Sequence, residues 1–290
     1  MEREEMQPIK VMFLASEADP FVKIGGLGDV AGSLPAALNR LGSSLEVRLF
    51  LPLHKQIDLS NYEIISRKKV TVSIRGNFIT ADVLQIARDG VSIHFIEGAP
   101  IRDNEKVYSS NILNDAEKYV FFVEACMQFA RDENWKPDIL FANDWHTALS
   151  LNLAKNKDKN GFWAKTKKLI AIHNLAYMGA GSEPVLDAYG IEALVTDEIP
   201  WWGKHVPLPM GIVAADKILT VSPTYAREIQ TEEFGCGLQG YFTSRKEDVI
   251  GIVNGIDLAA WDPSTDKLIK SQFSKQDISG KYENKRAIQE

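Results

Sequence analysis

The sequence predicts an α/β protein built on a doubly wound, mostly parallel sheet with an antiparallel hairpin edge. Short, continuous apolar segments recur along the chain and are typical of buried parallel strands. Amphipathic helical segments separate most of them, which favours a doubly wound arrangement. From about residue 62 to 96 apolar and polar residues alternate instead, between turn signals, and this pattern indicates antiparallel hairpins.

Composition excludes several classes of protein. With 45% hydrophobic and 25% charged residues, the 290-residue chain is neither collagen-like nor disordered. A formal net charge of -6 disfavours nucleic acid and anionic membranes as partners, and no apolar run is long enough for a transmembrane helix. Cys126 and Cys236 lie far apart, which argues against a disulfide framework or a zinc site. We therefore expect a cytoplasmic protein with no resident metal or cofactor.

The first elements of the predicted sheet surround a loop. A strand is predicted over residues 9–15, and a helix over residues 29–41, for which Asp29 is a suitable N-cap. A second strand follows over residues 45–53, before the hairpin region. These elements form the first strand–helix–strand unit of the predicted sheet.

The rest of the chain continues the alternation of helices and strands. The predicted elements are a helix over 114–133 capped by Asn114, strand 138–142, helix 145–155, strands 168–172 and 217–221, helix 223–230 and strand 249–253. After residue 263 the composition becomes polar and no further strand is indicated. The predicted domain therefore covers residues 1–263, and residues 264–290 are interpreted as a connecting segment.

A glycine-rich loop, KIGGLGD at residues 23–29, connects the first strand with the first helix. Ligands of open α/β sheets bind at this edge, and helix N-terminal amides favour anions such as a pyrophosphate. Lys23 would add a positive charge, although a plain strand-to-helix turn would also explain the glycines. The loop also fits the G-x-G-x-x-A dinucleotide pattern, but the intervening residues 16–23 make it too long for a nicotinamide dehydrogenase.

Polar segments follow other predicted strands, at residues 143–147, 172–177 and 254–257. Because the carboxyl ends of parallel strands meet at one edge, several such loops together indicate a ligand site. Taken singly, Asp144 is also compatible with a helix cap, and His146 with packing against the helix. The sequence has no G-x-S-x-G, H-E-x-x-H or P-loop motif, which disfavours hydrolases, metalloproteases and NTPases of those types.

Taken together, these segments resemble the N-terminal catalytic domain of bacterial glycogen synthases and plant starch synthases, which are retaining glycosyltransferases that use ADP-glucose. The matching segments keep the family's order and are SEA at 16–18, PF at 20–21, KIGGLGDV at 23–30, LP at 34–35, NDWHT at 143–147, IHNLAY at 172–177, TVSPTYAREIQT at 220–231, EFGCGL at 233–238, NGID at 254–257 and WDP at 261–263.

The resemblance implies the N-terminal half of a GT-B fold, in which two Rossmann-like domains enclose the active site. Residues 1–263 would be the N-terminal catalytic domain, residues 264–290 the start of the interdomain connection, and the C-terminal GT-B domain would be absent from this sequence. In the family that second domain supplies an Arg and Lys pair for the diphosphate, an adenine pocket and a glutamate near the sugar. We therefore expect weak or no catalysis by this chain alone.

The reaction that the resemblance implies is transfer of glucose from ADP-glucose to the non-reducing 4-hydroxyl of an α-1,4-glucan, with retention. Negative charge on the leaving diphosphate would be stabilised by cations and amides rather than by a metal. The implied site residues are His173 and Asp144 as catalytic residues, Lys23, Gly25, Gly26, Asp29, Asn174 and Asn254 on the donor side, and Tyr108 and His146 on the acceptor side.

Two departures from the family pattern affect the acceptor side. The sequence has Pro209-Met210-Gly211 where relatives often have Lys-Ala-Gly or Lys-Gly-Gly, and residues 101–111 are fewer and poorer in glycine than usual. Two alternatives also stay open. One is a non-catalytic, glucan- or partner-binding single-domain relative, and the other is a GT-B transferase that uses a UDP or GDP sugar.

Overall fold

The computed structural model describes residues 7–42, 44–158, 161–258 and 260–290. The chain divides into two compact units, the first ending at Val253 and the second covering Asn254–Glu290. The sheet belongs to the first unit, and the second contains a helix near its end. The predicted boundary after residue 263 rests on the family motif and stays a prediction.

Within the described part of the first unit, nine strands form one sheet. They are β1 (Ile9–Leu14), β2 (Leu45–Pro52), β3 (Ser66–Ile74), β4 (Asn77–Arg88), β5 (Val91–Glu97), β6 (Ile139–Asn143), β7 (Lys167–Ile172), β8 (Lys217–Thr220) and β9 (Val249–Gly251). Their order is β3-β4-β5-β2-β1-β6-β7-β8-β9. Only the pairs made by β4 are antiparallel, which confirms the predicted doubly wound sheet with its hairpin edge.

Helices of the first unit cover both faces of the sheet. They are α1 (Gly26–Asn39), α2 (Ala99–Arg102), α3 (Ile112–Asp132), α4 (Asp144–Asn156), α5 (Glu183–Ala188), α6 (Pro207–Ala214), α7 (Pro223–Glu228) and α8 (Gln239–Ser244), with 3-10 turns at Trp201–His205 and Lys246–Asp248. Helix α9 (Ser279–Gln289) belongs to the second unit. The sequence analysis missed α2, α5, α6, α8 and α9. Three of these, α2, α5 and α8, have six residues or fewer, and α9 lies in the polar segment after residue 263. Helix α6 is buried on nearly all sides, so it has no amphipathic period to detect.

The alternation of side chains along β1 shows why its sequence is continuously apolar. Met12 and Leu14 belong to the core cluster that contains α3, α4 and α6. Val11 and Phe13 face the opposite way, into the cluster that contains α1. A central strand buried on both faces has no polar side, as expected for a parallel sheet.

Helix α6 packs tightly against α4, and this explains the glycine that Pro209-Met210-Gly211 shares with the family pattern. A Cβ built on Gly211 would lie 2.5 Å from the Ala148 carbonyl oxygen, so a side chain there would force the helices apart. Pro209 and Met210 are buried in the same short helix. Packing of α6 against α4 therefore accounts for the glycine, and the two preceding side chains belong to the core.

Two predicted helix caps are wrong. Helix α1 begins at Gly26 with Gly25 in the cap position, so Asp29 lies in the first turn instead of capping it. Helix α3 is capped by Asn111, whose Oδ1 accepts hydrogen bonds from Leu113 N at 3.0 Å and Asn114 N at 3.5 Å. Two asparagines three positions apart offer the same local signal, and the loop conformation before the helix selects the first.

The strand order extends from β1 in both directions across the sheet. Strands β2 and β5 lie on one side of β1, and β6, β7 and β8 lie on the other. The order therefore reverses between β1 and β6, and ligands of doubly wound sheets bind outside the carboxyl ends of the strands at such a switch point. The loops that follow β1, β6 and β7 meet at this edge.

Candidate active site

The loop after β1 is organised by a buried acidic residue that the sequence analysis did not single out. Glu17 is only 2% exposed. Its carboxylate accepts hydrogen bonds from Ile24 N, from Gly25 N at 3.0 Å and from the Tyr108 hydroxyl at 2.9 Å. An acidic residue two positions after a buried strand was the available sequence signal, but its partners could not be known from it.

Lys23 and Asp29 form an ion pair at the open side of the same loop. Lys23 Nζ lies 2.6 Å from Asp29 Oδ1, and both side chains are partly exposed. The hydrogen bond with Asp29 raises the pKa of Lys23, so the ammonium group stays charged at neutral pH. This contact holds the cation beside the first turn of α1.

The backbone N–H groups at the start of α1 differ in whether they already have a hydrogen-bond acceptor. Gly25 N–H is taken by Glu17, and Gly28 N–H donates to the Gly25 carbonyl at 3.2 Å. The N–H groups of Gly26 and Leu27 have no acceptor among the residues that the structure describes. Of the two predicted donor-side glycines, Gly26 therefore offers a free amide and Gly25 does not.

Asp144 connects the ends of β6 and β7. Its Oδ1 accepts hydrogen bonds from His173 N at 2.8 Å and Asn174 N at 3.3 Å. Burial raises the Asp144 pKa to about 7; the two N–H donors oppose this shift and the charge of Glu17 adds to it. The residue also has a φ of 51°, a strained value that non-glycine residues adopt mainly at special sites.

The hydrogen bonds of His173 define its tautomer. Asn143 donates through Nδ2 to the Leu14 carbonyl at 2.9 Å, so its Oδ1 is the acceptor for His173 Nε2 at 3.0 Å. His173 therefore carries its proton on Nε2, and Nδ1 keeps a lone pair. Burial lowers the His173 pKa to about 4, so the ring is neutral at pH 7.

Tyr108 is held against the loop after β1. Its hydroxyl donates to Glu17 and lies 2.8 Å from Ser16 Oγ, which therefore acts as the donor of that second bond. Burial, followed by the negative charge of Glu17, raises the pKa of the Tyr108 phenol. Glu17 thus connects the glycine-rich loop with the residue predicted for the acceptor side.

A buried lysine on α3 fixes the segment that carries Tyr108. The Lys118 ammonium donates to the carbonyl oxygens of Lys106 at 2.8 Å and Val107 at 2.6 Å, and to Asp115 Oδ1 at 2.8 Å. All three of its protons are therefore used, which is what a fully buried ammonium requires. The Tyr119 hydroxyl adds a bond to the Val107 carbonyl at 2.5 Å.

His146 lies behind Tyr108 in a group of aromatic rings. Its ring centroid is 4.8 Å from that of Tyr108, 4.6 Å from Tyr119 and 4.4 Å from Trp145. Burial lowers the pKa of His146 well below its usual value, with a smaller contribution from the charge of Lys118. The structure therefore places His146 in a packing role, and its acceptor-side role stays a prediction.

The two predicted asparagines belong to different units of the chain. Asn174 lies beside Asp144, and its Oδ1 accepts a hydrogen bond from Ala176 N at 3.1 Å. Asn254 is the first residue of the second compact unit. Its role on the donor side therefore stays a prediction based on the family resemblance.

Among the described residues, no group of three or more His, Cys, Asp or Glu side chains is arranged to hold a metal ion. None of the helices in that part of the chain combines the length and the apolar character that crossing a membrane requires.

The site therefore combines an exposed cation and free helix amides with a buried carboxyl and a neutral imidazole, at the switch point of a doubly wound sheet. Fold and site together define a doubly wound α/β domain with a ligand site at its switch point, the type of domain from which GT-B glycosyltransferases are built. The model of the starch synthase catalytic domain family matches residues 10–244. The chain belongs to this family, which confirms the resemblance.

Two glycogen synthases illustrate the relationship. The chain is 35% identical over 288 residues to the glycogen synthase of Geotalea daltonii, and 35% identical over 292 residues to that of Streptococcus gordonii. These alignments cover 97% of this chain and 59% and 60% of the relatives. The chain thus spans about 59% of the length of the glycogen synthases that it matches.

A solved structure agrees with this assignment. The catalytic domain of Starch Synthase IV from Arabidopsis thaliana, bound to ADP and acarbose, superposes with a TM-score of 0.87 at 29% identity. The match covers 97% of this chain and 58% of the other chain.

Proposed function

We propose that this chain is the N-terminal half of an ADP-glucose-dependent glycogen or starch synthase, which transfers glucose with retention to the non-reducing 4-hydroxyl of an α-1,4-glucan. The observation that carries the proposal is that the Lys23 loop, Asp144 and His173 follow β1, β6 and β7, three neighbouring strands whose carboxyl ends share the edge at the switch point. Membership of the family, and the ADP and acarbose bound to the Arabidopsis relative, support it.

On the donor side, Lys23 and the free amides of Gly26 and Leu27 would receive the diphosphate. Negative charge grows on this group as the bond to glucose breaks, and preorganised N–H donors and a cation stabilise it most at that moment. Asp29 keeps Lys23 beside the amides. The Gly25 amide contributes indirectly, because its bond to Glu17 sets the loop conformation.

On the sugar side, Asp144 and His173 would face the glucosyl group, with Asn174 as a further polar contact. The neutral His173 ring offers Nδ1 as an acceptor for a sugar hydroxyl, because Nε2 already donates to Asn143. Asp144 holds the backbone of His173 and Asn174 in place. Tyr108, and His146 behind it, would border the acceptor.

The test is transfer of labelled glucose from ADP-glucose to glycogen. We would compare the polypeptide encoded by the complete reading frame with the 290-residue chain alone. The complete polypeptide should transfer glucose, its Lys23→Ala and His173→Ala variants should lose at least about a hundredfold in rate, and the chain alone should be weak or inactive. The exposed-surface variant Glu63→Gln is the control and should keep full activity.

A folded complete polypeptide that transfers no glucose from ADP-glucose would contradict the proposal. Transfer from UDP-glucose or GDP-glucose instead would favour another donor. Binding of glycogen without transfer from any donor would favour the non-catalytic alternative.

The proposal includes a cytoplasmic location. Both cysteines are unpaired, with Cys126 buried and Cys236 exposed, and reducing conditions preserve free thiols. Recovery of the protein in the cytoplasmic fraction of its host would support this part of the proposal, and recovery outside the cytoplasm would contradict it.

A further inference from the structure

A large open groove lies away from the site at the switch point. It has a volume of about 960 Å³ and lies between α3, the β3–β4 hairpin and the segments after α4 and α5. Helix α3 leads into β6, so its last turn lies at the amino edge of the sheet, opposite the carboxyl edge that carries the candidate active site. The volume is within the range of small-molecule sites.

Three of the four basic side chains that line this groove lack carboxylate partners among the described residues. Arg75 on the hairpin, Arg131 on α3 and Lys136 after it line the groove, and within the described ranges no carboxylate forms an ion pair with any of them. Arg131 and Lys136 instead lie near aromatic rings, 5.8 Å from the centroid of Trp163 and 5.5 Å from that of Phe162.

The acidic groups of the groove, in contrast, are engaged. Asp158 accepts hydrogen bonds from two backbone N–H groups, at 2.9 and 2.7 Å. Glu124 lies 3.8 Å from Lys157, and burial raises its pKa, whereas the charges of Lys157 and Arg131 oppose this shift. Asp187 is 3.8 Å from the imidazole of His205. The groove is therefore lined by four basic and three acidic side chains, and three of the basic side chains form no ion pair within the described ranges.

One wall of the groove also contains an unsatisfied hydroxyl. Tyr189 lines the groove and is 6% exposed, and its hydroxyl is buried without a hydrogen-bond partner. An unpaired buried donor is unfavourable by about 1–3 kcal/mol, and such groups in a native structure call for an explanation. The hydroxyl is closed off from solvent in this structure, so an acceptor oxygen from a bound ligand would remove this penalty once the Tyr189 side chain shifts towards the groove.

We propose that this groove binds an anionic ligand that carries two or more phosphate groups, held between Arg75, Arg131 and Lys136, with the Tyr189 hydroxyl as a further donor. Guanidinium groups suit phosphate oxygens because their planar N–H donors form paired, charge-assisted hydrogen bonds. The cations come from separate elements, so a ligand with phosphates spaced along it can reach more than one. This site is independent of the proposed transferase function.

The test is calorimetric titration of the 290-residue chain with inorganic tripolyphosphate. All proteins carry Lys23→Ala, so that the loop after β1 does not compete for the probe. We expect one site, with an affinity that decreases as ionic strength rises. Arg75→Gln and Arg131→Gln should each weaken binding about tenfold, the loss of one charge-assisted contact. Arg40→Gln, an exposed arginine outside the groove, is the matched control.

The variant Tyr189→Phe distinguishes an effect of the hydroxyl on ligand binding from an effect on the stability of the fold. Removing an unpaired hydroxyl should leave the melting temperature of the free protein unchanged or higher, whereas tripolyphosphate affinity should fall several-fold. Equal affinity in the double Arg75→Gln/Arg131→Gln variant would overturn the proposal, as would the absence of any binding. Binding of maltoheptaose that depends on these arginines, without binding of tripolyphosphate, would overturn it in favour of a neutral sugar.

Discussion

Glu17 and Asp144 are two buried carboxyl groups at the switch point, and neither forms a salt bridge in the part of the chain that the structure describes. Each is bound to backbone N–H groups of a loop that is near a strand end. Their negative charges also act on each other, which contributes to the raised pKa of Asp144. At the residue scale, two buried carboxyl groups therefore fix the loops of the site by accepting hydrogen bonds from their backbone N–H groups.

Glu17→Gln should loosen the glycine-rich loop. The variant loses the charge that strengthens the bonds from Ile24 and Gly25, and its amide would bring N–H donors against them. We expect amide hydrogen exchange at these two residues to become at least about tenfold faster, by NMR, because bonds to a charged acceptor contribute about 1.5–3 kcal/mol. Glu63→Gln is the exposed control, and unchanged exchange in Glu17→Gln would contradict the assigned role.

Asp144→Asn should change how stability depends on pH. The Asp144 pKa is raised from 3.8 to about 7, so between these values the folded state keeps a proton that the unfolded state releases. Rising pH therefore weakens the folded state over this window. Asparagine cannot ionise, keeps Oδ1 and tolerates a positive φ.

The variant should gain at least about 1 kcal/mol over the wild type between pH 4 and 8, measured by urea unfolding. A difference between the two proteins that is constant with pH would show that Asp144 does not titrate in this range.

At the scale of the secondary-structure element, helix α3 positions the segment that carries Tyr108. Its first turns carry Asp115, Lys118 and Tyr119, which together bind the preceding segment through its backbone. That segment presents Tyr108 to Glu17. The position at which α3 begins therefore affects the candidate acceptor side, although α3 itself lies under the sheet.

Two alanine substitutions test which asparagine caps α3. Asn111→Ala should lower the free energy of unfolding by about 1 kcal/mol, because Asn111 Oδ1 accepts the first free N–H groups of the helix. Asn114→Ala, three positions later, should change it by less than about 0.5 kcal/mol. Urea unfolding of both variants decides the matter, and a larger loss in Asn114→Ala would restore the cap predicted from sequence.

The whole molecule contains several histidines that are buried in the neutral form. Burial lowers the pKa of His54 to about 4, of His94 to about 3 and of His173 to about 4. The unfolded chain takes up these protons near pH 6.5, whereas the folded chain does not. Stability due to neutral histidines is therefore lost as pH falls from about 6.5 towards 4.

We expect the free energy of unfolding to rise by at least about 2 kcal/mol between pH 4.5 and 6.5, because several histidines outweigh the opposite effect of Asp144. Urea titrations across this range measure it. His94→Phe keeps a ring to stack on Phe50, 4.7 Å away in the wild type, and should reduce the slope. Stability that is flat or falls with pH in the wild type would contradict this account.

Much of the fold could be predicted because its signals are local. The apolar run of β1 and the glycines before α1 each lie within a few consecutive residues, and the structure places strand and loop where the pattern indicated. Sheet order and the short helices could not be predicted in the same way. Helix α6, for example, depends on a close approach of Gly211 to α4 that only the tertiary structure brings about.

For the candidate site, too, some features follow from local sequence and others depend on the tertiary structure. The sequence alone determined that polar segments with Lys23, Asp144 and His173 follow strands whose carboxyl ends share an edge. Only the tertiary structure decided their partners: Glu17 meets Tyr108 across 91 positions of the chain, and His146 packs behind the tyrosine. A local pattern specifies which hydrogen bonds a residue can donate or accept. Which group it meets depends on distant segments that are brought together when the core is buried.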